Sequence, residues 1–207
     1  MAGVARRGRI DKRQAILDAA FVVFAREGYA LAAIDVIAAE AGVAKATVYS
    51  HFGDKETLLH QAVAAQADRA LAENTEVLAR LTDDGELSET LRDVGYQLLR
   101  CFRDDRSMAM RRLLSAEVHQ FPWLIDIVQV GAADKVIDAL ADRLSRLTVA
   151  GRLRMTDPVL AAEQLASLLT GSMDRRSRLG TRPVPDAELR LVTRAAVTTF
   201  LRAYAPS

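Results

Sequence analysis

The fold is decided by residues 34–52, which read IDVIAAEAGVAKATVYSHF. The first half of this stretch repeats apolar residues at helical spacing, which predicts a short helix with one apolar face. These residues are Ile34, Ile37, Ala38 and Ala41. Gly42 follows directly, where the end of a helix favours a residue that adopts positive φ without a Cβ clash. The stretch therefore begins with a helix and a tight turn.

A second short helix is predicted from about Ala44 to Phe52. Val48 and Phe52 lie four residues apart and share its inward face, while Val43 is placed to fill the corner before it. The other faces carry hydrogen-bond donors and two aromatic rings, from Lys45, Thr47, Tyr49, Ser50 and His51. Two helices joined by a glycine-containing turn, with a polar outer face on the second, are typical of a helix-turn-helix motif. Such a motif places its second helix in the DNA major groove.

In the predicted recognition helix, Lys45 and Thr47 lie nearest the N-terminus, where side chains reach base edges and phosphates. Bidentate readout of bases uses Arg, Asn or Gln, and residues 44–52 contain none of them. Sequence preference is therefore expected to depend on Lys45, on thymine-methyl contacts from Ala46 or Thr47, and on DNA shape. His51 is either a DNA contact or an ordinary exposed histidine.

Residues 42–58, GVAKATVYSHFGDKETL, resemble the DNA-binding signature of the tetracycline-repressor (TetR) family of bacterial transcriptional regulators. The resemblance extends back to about residue 10 through Phe21, Phe24, Gly28, Tyr29, Ile34 and Ala38. Three alanines depart from the family pattern, which usually has Ser or Thr at Ala33 and Ala44 and often has glycine at Ala46. Because loss of an N-cap hydroxyl costs a helix about 0.5–2 kcal/mol, the first two departures bear on stability and phosphate contacts.

The resemblance implies further DNA contacts around the motif. The position of Tyr49 contacts the DNA backbone, and Lys55 binds a phosphate together with the amides at the start of the next helix, which Asp54 can cap. Solvation alone is the alternative for Lys55, although a lysine there opposes the helix dipole. The full predicted set is Lys45, Ala46, Thr47, Tyr49, Ser50, His51 and Lys55, with Arg9 and Arg13 in front of the motif.

A basic segment precedes the motif. Residues 1–13 carry five basic side chains and one acidic side chain, a local net charge of +4, whereas the whole chain has a formal net charge of +1. A basic arm beside a helix-turn-helix can reach phosphates or the minor groove, which is the predicted role of Arg9 and Arg13. A solvated tail is the alternative.

The chain after the motif is predicted to be helical throughout. An unbroken helical pattern runs from Asp54 to about Leu81 and ends at the turn formed by residues 82–85. Further helices are predicted at 87–103, 107–119, 122–148 with a kink at Gly131, 158–172 after the N-cap Asp157, and 186–204. A first helix from Asp11 to Glu27 completes an all-α fold of about nine helices. By resemblance, residues 1–53 form a three-helix DNA-binding domain and residues 54–207 form a helical bundle for ligand binding and dimerisation.

The last two long helices carry the predicted dimer interface, because their small and apolar residues exceed what an isolated bundle edge requires. The residues are Ala161, Leu165, Leu168, Leu169, Val192, Ala196 and Phe200. In the TetR family the corresponding helices form a four-helix interface between two-fold mates; a core within one chain is the alternative. A homodimer implies a near-palindromic operator in double-stranded DNA.

A ligand pocket is expected in the second domain by family resemblance. Residues 115–165 also resemble the ligand-binding domain of one TetR subgroup, through Phe121-Pro122 and Asp157-Pro158. The predicted wall residues are Tyr96, Cys101, Phe102, Met108, Met110, His119, Phe121 and Trp123. Plain core packing is the alternative for each of them. Because Met and aromatic side chains adapt to apolar ligands, the expected effector is a largely hydrophobic small molecule.

Other functional classes find little support in the sequence. The three histidines lie far apart without metal-ligand spacing, and no GxSxG, P-loop or GxGxxG motif occurs, so we expect no enzyme activity, catalytic residue, metal or cofactor. Targeting and membrane segments are not predicted either. The N-terminus has no apolar signal-peptide core, and no apolar run approaches the ~18–20 residues of a membrane span. Cys101 is the single cysteine, which suits a reducing cytoplasm. These features predict a cytoplasmic protein without a membrane partner.

The sequence thus predicts a homodimeric, DNA-binding transcriptional repressor that a small ligand releases from its operator. The alternative is a helical small-molecule-binding protein without sequence-specific DNA binding, which the departures at Ala33 and Ala44 keep open.

Overall fold

The computed structural model describes the backbone of residues 2–206 and the side chains of residues 12–206. This part of the chain is helical and contains no β-strand. The helices are α1 (Ala2–Leu31), α2 (Ile34–Glu40), α3 (Lys45–Phe52), α4 (Lys55–Leu78), α5 (Leu87–Arg103), α6 (Asp105–Glu117), α7 (Trp123–Val128), a π-helical turn (Gln129–Ala133), α8 (Asp134–Val149), α9 (Pro158–Thr170), α10 (Met173–Arg176) and α11 (Asp186–Tyr204). With the continuous helical path 123–149 counted once and the four-residue α10 left out, the described chain has the nine helices that the sequence predicted.

The chain forms two compact units. The first contains the residues up to Arg69 together with Ala109–Gly131, and the second contains Ala70–Met108 and the chain from Ala132 onwards. The segment Ala109–Gly131 therefore packs with the N-terminal helices, although the predicted boundary at residues 53 and 54 assigned it to the ligand-binding domain. The functional division at that boundary stays a prediction.

The core of the first unit explains this membership. One apolar cluster joins the inward faces of α1, α2, α3 and the start of α4. Residues of the segment 109–131 are buried in the same cluster: Met110, Leu113, Phe121 and Leu124. Apolar side chains on α6, on α7 and at Phe121 between them thus enlarge the core of the N-terminal helices, because a small helical unit buries too little of its surface.

α1 is interrupted at Gly28, whose φ of 76° and ψ of 166° lie outside the helical region. A side chain other than hydrogen is strained at this φ, and a Cβ built there lies 3.1 Å from Oε1 of Glu117. The sequence predicted that Gly28 ends the first helix; in the structure one further turn follows, to Leu31. The predicted start at Asp11 was wrong, since helical backbone begins at Ala2. Alanine and arginine, which are frequent in this segment, rank among the better helix formers.

The core of the second unit is built from the inward faces of α5, α8, α9 and α11, with the end of α4 packed against them. α5 and α11 have the predicted bounds. The side chain of Asp157 accepts a hydrogen bond of 3.0 Å from the backbone N–H of Leu160, which confirms the predicted cap of α9.

Several elements differ from prediction: α6 covers 105–117 instead of 107–119, and α9 ends at Thr170 instead of residue 172. α4 ends at Leu78 because the following residues form tighter turns, as when the N–H of Leu81 donates to the carbonyl of Leu78 at 3.0 Å. The expected kink at Gly131 is a π-helical turn, which accommodates an extra residue within a helical path. The short α10 lies in the segment between the predicted helices 158–172 and 186–204, where no helix was predicted. Among the described helices, none is long and apolar enough to cross a membrane.

Candidate functional site

The turn between α2 and α3 sets the direction of the predicted recognition helix. Gly42 has a φ of 65°, and its N–H donates to the carbonyl of Ala39 at 3.1 Å. The N–H of Val43 donates to the carbonyl of Ala38 at 3.0 Å. These two bonds form a Schellman motif, in which glycine adopts the left-handed conformation and the last carbonyls of the helix are satisfied. Val43 packs against the core, as predicted.

α3 is anchored by its apolar face and presents its polar face outward. Val48 and Phe52 are buried in the first-unit core. The predicted DNA-contacting residues on the same helix keep their side chains accessible: Lys45, Ala46, Tyr49 and Ser50 are exposed, and Thr47 and His51 are half-buried. The structure therefore brings these six residues to one accessible surface, which we call the α3 surface.

Both helices of the motif begin without a side-chain cap. Ala33 and Ala44 have the extended backbone of N-cap residues, but neither can accept a hydrogen bond through its methyl side chain. α4 is different, because Oδ1 of Asp54 accepts the N–H of Thr57 at 2.7 Å. This bond lowers the pKa of the Asp54 carboxyl below its ordinary value. The predicted cap at Asp54 is thus confirmed, while the unusual alanines leave α2 and α3 without one.

Lys45 is already engaged in the free protein. Its Nζ lies 2.9 Å from Oδ2 of Asp35, in the first turn of α2. The hydrogen bond to Asp35 raises the pKa of the Lys45 ammonium. Asp35 was not predicted from the sequence, because residues ten positions apart on two helices have no fixed spacing that indicates contact.

Lys55 also has partners, so that solvation alone does not describe it. Its Nζ donates to the carbonyl of Ala30 at 3.3 Å and lies 4.6 Å from the centre of the Tyr29 ring. The N–H of Tyr29 donates to Oε1 of Glu117 at 2.8 Å. The buried carboxylate of Glu117 on α6 thereby holds the backbone at Tyr29, next to the carbonyl of Ala30 that accepts the hydrogen bond from Lys55. Glu117 was missed as a positioning residue, because only the fold brings it to the end of α1.

Arg13 lies beside the recognition helix. Its guanidinium donates to Oε1 of Gln61 at 2.5 Å and lies 5.6 Å from the centre of the Phe52 ring. The side chain of Arg9 lies outside the described residues. The hydroxyl of Ser50 donates to the carbonyl of Thr47 at 2.9 Å, a local bond within α3.

The predicted dimer residues are placed differently from expectation. Six of the seven are buried within one chain, in the core of the second unit or at its edge: Ala161, Leu165, Leu169, Val192, Ala196 and Phe200. Little of their surface is accessible in one chain, which favours the alternative of a core within one chain, and their role in an interface stays a prediction. Leu168 is 39% exposed and remains available. The same helices expose other apolar side chains, among them Leu160 and Leu191.

The predicted ligand-contacting residues are divided between the two units. Tyr96 is buried in a cluster with Leu99 and Met173, against which Phe102 packs, while Cys101 packs against the main core of the second unit. The Sδ of Met108, also in the second unit, accepts a hydrogen bond of 2.7 Å from Arg103. The other four lie in the first unit: Met110 and Phe121 are buried in its core, Trp123 packs on that core, and His119 is exposed.

These four residues therefore belong to the first unit, and the single wall predicted from the sequence stays a prediction. An open groove of about 670 Å³ in the second unit is lined by residues 85–88, 151, 152, 201, 205 and 206. None of the eight predicted residues is among them. Residue type indicated apolar character, but it did not show which core each side chain enters.

Comparison with known proteins agrees with the geometry of the motif and of the bundle. Residues 89–206 match the family described as "AefR-like transcriptional repressor, C-terminal domain", and residues 16–62 match "Bacterial regulatory proteins, tetR family". The chain is 29% identical to the HTH-type transcriptional activator FasR of Mycolicibacterium smegmatis over 149 residues, covering 70% of this chain and 66% of FasR. It is 36% identical over 96 residues to the HTH-type transcriptional regulator YfiR of Bacillus subtilis, covering 42% of this chain and 47% of YfiR. The matched regions thus span just under two thirds of the length of FasR and about half of the length of YfiR.

Solved structures extend the likeness over nearly the whole chain. A TetR-family transcriptional regulator from Mesorhizobium loti superposes with a TM-score of 0.90 at 27% identity, covering 96% of this chain and 98% of that chain. The flavonoid-responsive regulator FrrA superposes with a TM-score of 0.72 at 29% identity, covering 94% and 97%. Since the C-terminal family alone matches more than half of the sequence, and the helix-turn-helix lies where the N-terminal family requires it, the chain belongs to the TetR family of bacterial transcriptional regulators.

Proposed function

We propose that the protein is a homodimeric repressor that binds a near-palindromic DNA operator in the cytoplasm and leaves it when a small molecule binds. The observation that carries this proposal is the α3 surface. A Schellman turn and two buried anchors, Val48 and Phe52, hold a short helix with its donors accessible. A helix so held can enter the major groove, which is wide enough for one helix.

Base reading depends on few side chains. Lys45 is the donor at the N-terminus of α3, where a side chain reaches guanine O6 and N7. The methyl groups of Ala46 and Thr47 can contact thymine, and the remaining preference comes from DNA shape. Phosphate contacts come from Lys55, Tyr49 and the basic segment with Arg9 and Arg13. Ser50 and His51 flank these contacts on α3.

Dimerisation uses α9 and α11, through the side chains that the core leaves accessible. Leu160 and Leu168 lie on α9, and Leu191 lies on α11. They are 46%, 39% and 59% exposed. Together with small neighbours such as Ala195 they provide an apolar face for a second copy. A two-fold dimer places two α3 surfaces on half-sites about 34–36 Å apart.

The effector is proposed to be a largely hydrophobic small molecule that binds the second unit. α4 contributes residues to both units, so a ligand that favours another direction of α4 changes the spacing of the two α3 surfaces. Operator affinity then falls by the ratio of ligand affinities in the two states. Because FrrA is named a flavonoid-responsive regulator, flavonoids are the first class of compounds to test. A compound that binds the folded protein raises its melting temperature, by an amount that grows with the logarithm of the ligand concentration divided by Kd.

The uncapped starts of α2 and α3 favour one other candidate, a helical small-molecule binder without sequence-specific DNA binding. Salt response separates the two. A DNA reader loses affinity steeply with salt and still prefers one sequence over random duplex.

The decisive experiment is selection of the pure protein on random duplex DNA, followed by titration at two salt concentrations. The expected result is a palindromic motif bound by two protomers. Enrichment of no sequence, with helices intact by circular dichroism, contradicts the proposal. Because FasR is an activator, transcription in vitro from a promoter carrying the selected motif then shows the sign of regulation.

A further inference from the structure

One carboxylate lies where the proposed interface favours positive charge. Asp35 occupies the first turn of α2, and its side chain is 70% exposed. Its Oδ2 is 2.9 Å from Nζ of Lys45, whose side chain is 50% exposed. The carboxylate therefore sits beside the donor from which base reading is expected. The role inferred for this pair rests on the proposed function, in which the N-terminus of the recognition helix approaches the bases.

An unpaired carboxylate at this place is repelled by DNA phosphates, and pairing with Lys45 removes that repulsion. The pairing also changes what Lys45 can do. A free lysine is a flexible point charge that neutralises any phosphate within reach, without regard to sequence. A lysine ammonium whose charge is already balanced by the Asp35 carboxylate gains much less binding free energy from a phosphate.

The ammonium of lysine has three N–H donors and no acceptor. One donor is used by Asp35, and two remain. A guanine presents two acceptors in the major groove, O6 and N7. Besides Arg, Asn and Gln, a lysine that is held in place can also donate to two acceptors of one base. Lys45 can therefore keep its bond to Asp35 while it donates to a guanine.

We propose that Asp35 is a specificity-determining residue, which holds and neutralises Lys45 so that this lysine reads a guanine in each half-site instead of a phosphate. Asp35 touches no base in this arrangement; it acts through Lys45 as a positioning residue. It lowers affinity for random DNA, and it fixes the ammonium where the base acceptors lie.

The test compares Asp35→Asn and Asp35→Ser with a matched control, Glu40→Gln. Glu40 is at the other end of α2, and its carboxylate lies 2.8 Å from the guanidinium of Arg26 on α1. The control therefore removes one negative charge and one ion pair from the same helix without touching Lys45. Two variants at Asp35 are needed because asparagine can itself read adenine, whereas serine is a good residue near a helix start.

Affinity is measured for the selected operator and for random duplex over a range of salt concentrations. Both Asp35 variants are expected to bind random duplex more tightly, with a salt slope steeper by up to about 0.9 per protomer. The ratio of operator to random affinity should fall about 10-fold or more, and reselection should relax one guanine in each half-site. Glu40→Gln should leave that ratio and the selected motif unchanged.

A double-mutant cycle with Lys45→Ala shows whether Asp35 acts through the lysine. In the Lys45→Ala background, removal of the Asp35 charge is expected to leave the operator-to-random ratio unchanged. An equal fall of the ratio in both backgrounds overturns the inference, and so does Asp35→Asn behaving like Glu40→Gln. In either case the selected palindrome still stands, so the repressor proposal survives. If wild-type protein selects no sequence, both fail together. Melting temperatures of all variants exclude a fold defect as the cause.

Discussion

α3 and the pair α9 and α11 each repeat apolar residues at helical spacing, yet their accessible faces differ. In α3, Val48 and Phe52 face the core, and the polar remainder forms the accessible surface. In α9 and α11 the regular apolar residues also face the core, and the accessible face carries different apolar side chains. Helical periodicity identifies the apolar face of a helix, but it does not identify what covers that face.

The strongest test of this comparison is Phe200→Ala. Phe200 was expected at an interface between chains and is buried in the core of the second unit. The substitution should reduce the free energy of unfolding by about 3–5 kcal/mol, because it removes a buried aromatic ring and leaves a cavity. Urea denaturation at a fixed protein concentration measures this. If Phe200→Ala prevents dimerisation and leaves the free energy of unfolding unchanged, Phe200 acts in the interface and not in the core.

Leu191→Arg should abolish dimerisation and leave the stability of the single chain unchanged, the reverse of what is expected for Phe200→Ala. The side chain of Leu191 lies on the exposed face of α11, so a charge there should prevent association and leave the helices intact. Operator affinity should fall about 100-fold or more, since a monomer loses the second half-site. Analytical ultracentrifugation and DNA titration measure both effects. Val149→Arg, at an exposed residue near the end of α8, is the control and should remain dimeric.

Glu117→Leu probes the contact between α6 and the end of α1. The N–H of Tyr29 loses its acceptor, which should cost about 1–3 kcal/mol of stability. Glu117→Gln keeps an acceptor oxygen and should recover most of that loss. Thermal unfolding of both variants decides the matter, and a leucine variant as stable as wild type would show that the bond is dispensable.

Ala44→Ser tests the missing cap of α3. The backbone of Ala44 already has N-cap dihedral angles, with φ of −75° and ψ of 147°. A serine hydroxyl there can accept an N–H of the first turn and should add about 1 kcal/mol of stability. Denaturant titration measures the gain. An unchanged midpoint would mean that the first turn of α3 does not limit stability.

The smallest change in stability is expected from Asp54→Asn, which replaces the side chain that caps α4. The pKa of Asp54 is lowered in the folded state by the N–H of Thr57, so its contribution is present above the ordinary pKa of about 4. It should be lost as pH falls through the folded pKa. Asp54→Asn caps without titrating, so its stability relative to wild type should rise on acidification. A difference that stays constant between pH 7 and pH 3 contradicts this.

The sequence by itself determined the all-α fold, the helix-turn-helix at residues 34–52, the cap at Asp157 and the bounds of α5 and α11. These features depend on spacing, on glycine at positive φ and on side chains that bond the backbone a few residues away, and all such information is local. The family followed from the same short stretch.

Only the tertiary structure decided which core each apolar side chain enters and which polar groups meet. Phe121 and Met110 joined the first unit, Phe200 entered the core of the second, and Glu117 reached Tyr29 across 88 positions. The pairing of Asp35 with Lys45 belongs to the same class. Burial is driven by the removal of apolar surface from water without regard to direction, so many partners satisfy one sequence pattern and only the packed chain selects among them.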